Sequence, residues 1–138
     1  MKLAIENIKL SGVISVLDQL ELKGLQSVHR TRLAKQLIEK LKQAAEEEKK
    51  LKESYAIKDE EDQPIIEDGK YKFEDGDEEK LKRDLEHFHK ETVVIESGDF
   101  PTYLKSVKKA LEDSQVEWQG QQAYDYAYLY EAFEGGEE

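Results

Sequence analysis

The residues able to do chemistry are few, and their spacing does not bring them together. His29, His87 and His89 are the three histidines of the 138 residues, and there is no cysteine. His87 and His89 stand two apart in a helical pattern, which turns them roughly 200° from one another and keeps them from chelating one ion. Glu86 and His89 have the Glu-x-x-His spacing of di-iron bundles. Those sites need a second copy of the motif and further inward carboxylates, and the sequence has no second copy. The carboxylate runs Asp59-Glu60-Glu61-Asp62 and Glu74-Asp75-Gly76-Asp77-Glu78-Glu79 lack the EF-hand order of ligands around a central glycine, so solvated loops are the simpler reading. Ser11, Ser15, Ser27, Ser54, Ser97, Ser106 and Ser114 lie in no Gly-x-Ser-x-Gly elbow, and there is no Gly-rich phosphate loop. The expectation is a protein with no catalytic residue, no cofactor and no metal, and therefore not an enzyme.

Charge placement says more. Lys+Arg number 21 against 32 Asp+Glu, for a net charge of −11. As a whole such a chain is repelled by nucleic acid and by anionic membranes. Yet Lys23, Arg30, Arg32, Lys35, Lys40 and Lys42 face one acid, Glu39, within 20 residues: +5 there, leaving −16 for the other 118. Several of these bases fall in the first turns of a helix, where the macrodipole disfavours positive charge. An acidic surface must compensate them, either on this chain or on a partner. Direct contact with nucleic acid is disfavoured by the surrounding −16.

The second concentration is aromatic. Trp118, Tyr124, Tyr126, Tyr128, Tyr130 and Phe133 are six of the chain's 12 aromatics, within 16 residues. On a helix they cannot all share one face. Some are expected in the core and some at a protein contact, where Tyr is favoured. Arg30, Arg32, Lys35, Trp118, Tyr124, Tyr126, Tyr128 and Tyr130 are therefore the candidate partner-binding residues.

The elements that position these groups follow from periodicity. Alternation over Met1 to Glu6 predicts a strand with Leu3 and Ile5 inward. Ser11 is placed to cap a first helix carrying Val13, Ile14, Leu17 and Leu20, and Gly24 marks a turn. From Ser27 to Tyr55 no Gly or Pro interrupts, so ~28 residues, about 42 Å, read as one helix. Its heptad-like seam is Ala34, Leu37, Leu41, Ala44, Leu51 and Tyr55, widened by Ile38 and Ala45, with Glu48 its polar member. Asp68-Gly69 between Ile65-Ile66-Glu67 and Lys70-Tyr71-Lys72-Phe73 predicts a two-residue hairpin. Asp77 is expected to cap a third helix with Leu81, Leu85 and Phe88 on one face. Residues 92–96 read as a strand. Pro101 suits the first turn of a fourth helix carrying Leu104, Val107 and Leu111. The last segment, 121–133, fits a strand by its alternating tyrosines and a helix by its Ala, Leu, Gln and Glu content; helix is the reading adopted, stopped by Gly135-Gly136.

The expected fold is α+β and predominantly helical: about five helices, one of them long, with a small, mostly antiparallel sheet of short strands that pair with one another. Residues 1–134 are expected to form a single domain and 135–138 a flexible acidic tail. No apolar run of signal-peptide or membrane-span length occurs, so a cytoplasmic location is expected.

Leu22-Lys23-Gly24-Leu25, then Arg30-Thr31-Arg32-Leu33 and a long acidic helix, resembles the opening of small phage- and prophage-encoded proteins of unknown function. Gly69-Lys70-Tyr71-Lys72-Phe73, the strand near 92–96, Gly120-x-x-Ala123-Tyr124-Asp125 and Glu131-Ala132-Phe133-Glu134 continue the likeness along nearly the whole chain. The resemblance implies a viral or prophage gene, often beside structural or tail-module genes, acting in the bacterial cytoplasm or in the particle, with no assigned catalytic residue. The function expected is a non-enzymatic interaction or assembly protein, self-associating through the helix seam or the terminal aromatics. The alternative is an acidic nucleic-acid mimic or regulator that binds a DNA-handling host protein.

Overall fold

The computed structural model describes residues 1–136. In chain order it holds β1 (Lys2–Glu6), α1 (Leu10–Gln19), α2 (Leu25–Tyr55), β2 (Ile66–Glu67), β3 (Lys70–Tyr71), α3 (Asp77–Lys90), β4 (Thr92–Glu96), α4 (Tyr103–Glu112) and α5 (Gln121–Gly135). This is the five-helix α+β fold with one long helix that the periodicity predicts. The segment with alternating tyrosines is helical. Packing divides the chain into two compact units: residues 1–41 with the described residues from 92 onward, and residues 42–91.

The first unit is built on β1 and β4, which pair antiparallel with Ala4 opposite Val94. Alternation sends Leu3, Ile5 and Ile95 inward, where they are buried with Leu10, Val13 and Leu17 of α1, Leu33 and Leu37 of α2, Leu104, Val107 and Leu111 of α4, and Leu129 and Phe133 of α5. Burying a Leu, Val or Phe side chain is worth about 1.5–3 kcal/mol, so this cluster is what holds the unit. Gly136 closes it, its carbonyl accepting the Lys2 N–H at 3.3 Å.

The second unit comprises the later turns of α2, the hairpin and α3. Asp68 (φ 51°) and Gly69 (φ 76°) both adopt positive φ, as a type I′ turn requires. The hairpin pairs with the chain that leaves α2: Ile57 N–H donates to the Lys72 carbonyl and Ile65 N–H to the Ile57 carbonyl, each at 2.8 Å. Hence the expected single sheet is two separate two-stranded sheets, β1–β4 and β2–β3. The hairpin finds its partner locally, and α5 occupies the outer edge of β1.

Helix starts are the other correction. A 3-10 turn over Asn7–Lys9 leads directly into α1, so Ser11 lies inside the helix and caps nothing. α2 begins at Leu25, after Gly24 turns the chain at φ 65°, two residues before Ser27. The left-handed Gly76, not Asp77, stands at the cap of α3; Asp77, Glu78 and Glu79 fill its first turn and His87, His89 and Lys90 its last, each matched to the dipole. Pro101 precedes α4, whose cap is Thr102.

Candidate interaction surface

Arg30, a base in the wrong place for its own helix, is explained by another one. Its Nη1 donates to the carbonyls of Leu17 (2.8 Å) and Leu20 (2.9 Å), and Nη2 lies 3.4 Å from Ser27 Oγ. The guanidinium thus caps the Leu20 carbonyl and adds a second donor to the Leu17 carbonyl, which also accepts the Leu20 N–H at 3.3 Å, at the C-terminal, negative end of α1. Two residues later, about half a turn around the helix, Arg32 takes a different partner. Its guanidinium carbon is 4.0 Å from the centroid of the Phe100 ring and 5.5 Å from that of Tyr103. Tyr103 is buried, and its hydroxyl accepts from Gln36 Nε2 at 2.7 Å. Burial pushes this phenol above its ordinary pKa.

Phe100 itself is 53% exposed, as are its apolar companions on α2, Val28 (52%) and Leu25 (68%). Ser27, Val28, Thr31, Arg32 and Lys35 line a shallow depression on that face. Lys35 is exposed. An aromatic ring stacked by an Arg whose helix face also carries two exposed aliphatic side chains is a composition enriched at interface cores and unfavourable to leave in water; the exposed Lys35 ammonium suits a rim. Sequence reasoning picked out Arg32 and Lys35. It missed Leu25 and Val28, which share one face of α2 with Arg32 and Lys35 at helical spacing, and Phe100, which lies in a loop.

The C-terminal aromatics are placed otherwise. Trp118 stacks on Tyr126 with centroids 5.1 Å apart and planes at 20°, and Tyr126 meets Tyr130 at 6.2 Å. Tyr126 Oη donates to the Leu111 carbonyl at 2.7 Å. Tyr128 Oη accepts the Glu6 N–H at 3.0 Å and donates to Glu6 Oε1 at 3.3 Å, with Lys9 Nζ 5.5 Å from its ring centroid. Burial raises the pKa of both Tyr126 and Tyr128. These rings bind α5 to α4 and β1. Tyr124 stands apart from them, 74% exposed.

The long-helix seam is likewise spoken for in its first half. Leu33, Ala34 and Leu37 are buried in the first unit, together with His29. In the second unit Glu48 Oε1 lies 2.6 Å from His89 Nε2, so the histidine of the Glu-x-x-His pair is engaged by α2. Among the described residues no group of three or more His, Cys, Asp or Glu is arranged to hold a metal, and no helix is long and apolar enough to cross a membrane. The acidic run at 59–62 is a self-ordered turn: Asp59 Oδ1 accepts the N–H groups of Glu61 (2.8 Å) and Gln63 (3.0 Å). A cleft lined by Leu20, Glu21, Gln26, Asp113, Ser114 and Glu117 is also turn structure, with Val116 N–H donating to Ser114 Oγ at 3.2 Å and Asp113 paired to Lys109 at 3.1 Å.

Comparison of the chain with curated proteins and with solved structures gave no match. A family model does match, over residues 1–137, and the chain belongs to that family, described as Protein of unknown function (DUF1617).

Proposed function

We propose that this chain is a non-enzymatic interaction or assembly protein of the phage or prophage type, which docks an acidic protein partner on the face formed by Leu25, Val28, Arg32, Lys35 and Phe100. One observation carries the reading: the Arg32 guanidinium rests 4.0 Å from the Phe100 ring while that ring stays more than half exposed. A cation–π pair held in place on the free protein loses little further entropy when a partner covers it. Arg and aromatic residues are also where binding energy concentrates in interfaces. The phage origin rests on the motif resemblance described above, and on this proposal the protein acts in a bacterial host or in the particle it builds.

The reading is tested by pull-down from infected or lysogenic bacteria, comparing the native chain with Phe100→Ala and Arg32→Glu. The native chain is expected to retain a partner, or further copies of itself, that both variants lose. A strict monomer with no partner at low salt, or capture unaffected by either substitution, contradicts it.

A second reading, the acidic mimic, draws on the second unit, where residues 42–91 carry 18 acidic against 11 basic residues. Glu78, Glu79 and Glu86 line a groove with Phe73, Leu81 and Leu85, against one cation, Lys82, and His89. It predicts capture of a basic, DNA-handling protein that free DNA displaces.

A further inference from the structure

The two edges of the β1–β4 sheet are treated differently. Lys2 and Glu6 turn their N–H groups away from β4, to the Gly136 carbonyl at 3.3 Å and the Tyr128 hydroxyl at 3.0 Å. α5 thus covers the outer edge of β1. Residues directly opposite one another in an antiparallel pair are oriented alike with respect to the ladder. Glu96 opposes Lys2, Val94 opposes Ala4 and Thr92 opposes Glu6. Thr92, Val94 and Glu96 therefore turn their N–H and C=O groups to the outer edge of β4, and no backbone–backbone hydrogen bond of the described residues reaches them. Natural edges are blunted by Lys, Pro, a bulge or a cover. The strand Thr-Val-Val-Ile-Glu carries no Lys and no Pro, and Val94 at its centre is 48% exposed.

We propose that β4 pairs antiparallel with β4 of a second copy, about a two-fold axis through Val94, to make one four-stranded sheet across the dimer. The sequence is self-complementary in this register and poorly so in others. Val94 meets Val94 of the partner copy, Thr92 meets Glu96, and Val93 meets Ile95, so every outward backbone group of the five residues is paired and no like charges face each other. Like residues sit opposite only at the axis, as an isologous contact demands. Val93 and Ile95, on the core side, extend the apolar face of the sheet across the axis. This deepens the assembly reading by naming one partner, a second copy, and uses the backbone edge of β4 rather than the side chains of Val28 and Phe100.

The chain has no cysteine, so a single introduced thiol reports the register. A short bismaleimide is expected to crosslink Val94→Cys with itself. Thr92→Cys and Glu96→Cys should each stay uncrosslinked alone, because like positions then lie roughly 14 Å apart along the strands, and should crosslink when mixed. Val94→Lys sets two ammonium groups on the axis and is expected to abolish the dimer, returning the mass from twice 16.0 kDa to 16.0 kDa with unchanged circular dichroism. In the native dimer the Val94 amide should lose its protection from hydrogen exchange on dilution while the Ile95 amide keeps its own. A chain that stays monomeric, or a dimer in which Thr92→Cys crosslinks alone as fast as Val94→Cys, overturns the pairing. Partner capture lost with Phe100→Ala in a chain that never dimerises would overturn this inference and leave the docking face standing; a β4 dimer with no Phe100-dependent partner would do the reverse.

Discussion

The Asp125 carboxyl group fills the space above Gly12: a methyl built on that glycine would stand 2.6 Å from Asp125 Cγ and 2.9 Å from Oδ1. Asp125 is buried on α5, held by Gln121 Nε2 at 3.1 Å, and Gly12 is the third residue of α1, in the turn that continues from the 3-10 segment. A glycine there costs about 1 kcal/mol of helix propensity relative to alanine. Close approach of α1 and α5 outweighs it. Gly12→Ala is expected to lower stability by about 1–3 kcal/mol through overpacking. In an Asp125→Ala background the same substitution should turn neutral or stabilising, and denaturant unfolding of the four-membered cycle reads the coupling.

Arg30 is expected to matter to stability and Arg32 to binding. Arg30→Ala strands the Leu20 carbonyl and removes one of the two donors on the Leu17 carbonyl at the end of α1, and should lower stability by about 1–3 kcal/mol in urea unfolding. Arg30→Lys should recover only part of this, since an ammonium lacks the planar fork. Arg32→Ala exposes one face of Phe100 and should shift unfolding by less than about 1 kcal/mol while weakening partner capture.

His29 is buried, and its Nδ1 has no hydrogen-bond partner among the described residues. Replacing it with Leu removes an unsatisfied polar atom at similar volume. Thermal unfolding of His29→Leu is expected to show unchanged stability, or a gain of about 1 kcal/mol. A clear loss would show that this nitrogen is satisfied in solution by an ordered water.

Alkaline pH should destabilise the first unit through its tyrosines. Burial raises the folded-state pKa of Tyr103, Tyr126 and Tyr128 above the ordinary phenol value of 10.0. The folded chain therefore holds these protons more tightly than the unfolded one. Their contribution is complete below about pH 10 and is lost as pH climbs through the raised values. Ultraviolet titration beside unfolding at each pH checks this, and Tyr126→Phe with Tyr128→Phe should flatten the alkaline limb.

Much of this fold was legible because single residues left one choice. Asp68-Gly69 named its turn type, since few other pairs accept two positive φ values. Leu3 and Ile5 gave their facing by alternation, and the absence of Gly or Pro from Ser27 to Tyr55 let α2 run. What stayed hidden depended on distant partners. Ser11 and Asp77 look like caps locally, but a 3-10 turn and a left-handed glycine took their places. The candidate surface was half visible: Arg32 stood out by charge, whereas Phe100 lies in a loop with no periodicity and gains its meaning only from the guanidinium packed on it. Arg30 and the tyrosines Tyr126 and Tyr128 drew notice by type, and their hydrogen bonds inside the fold could not be read from spacing.

Hydroxyl-radical footprinting of the chain in the assembled state recovered from producing cells, set against the dispersed chain, tests the central claim most directly. The docking face predicts that Leu25, Val28 and Phe100 lose their reactivity on assembly while Tyr124 keeps its own. Equal labelling of those three residues in both states would contradict it.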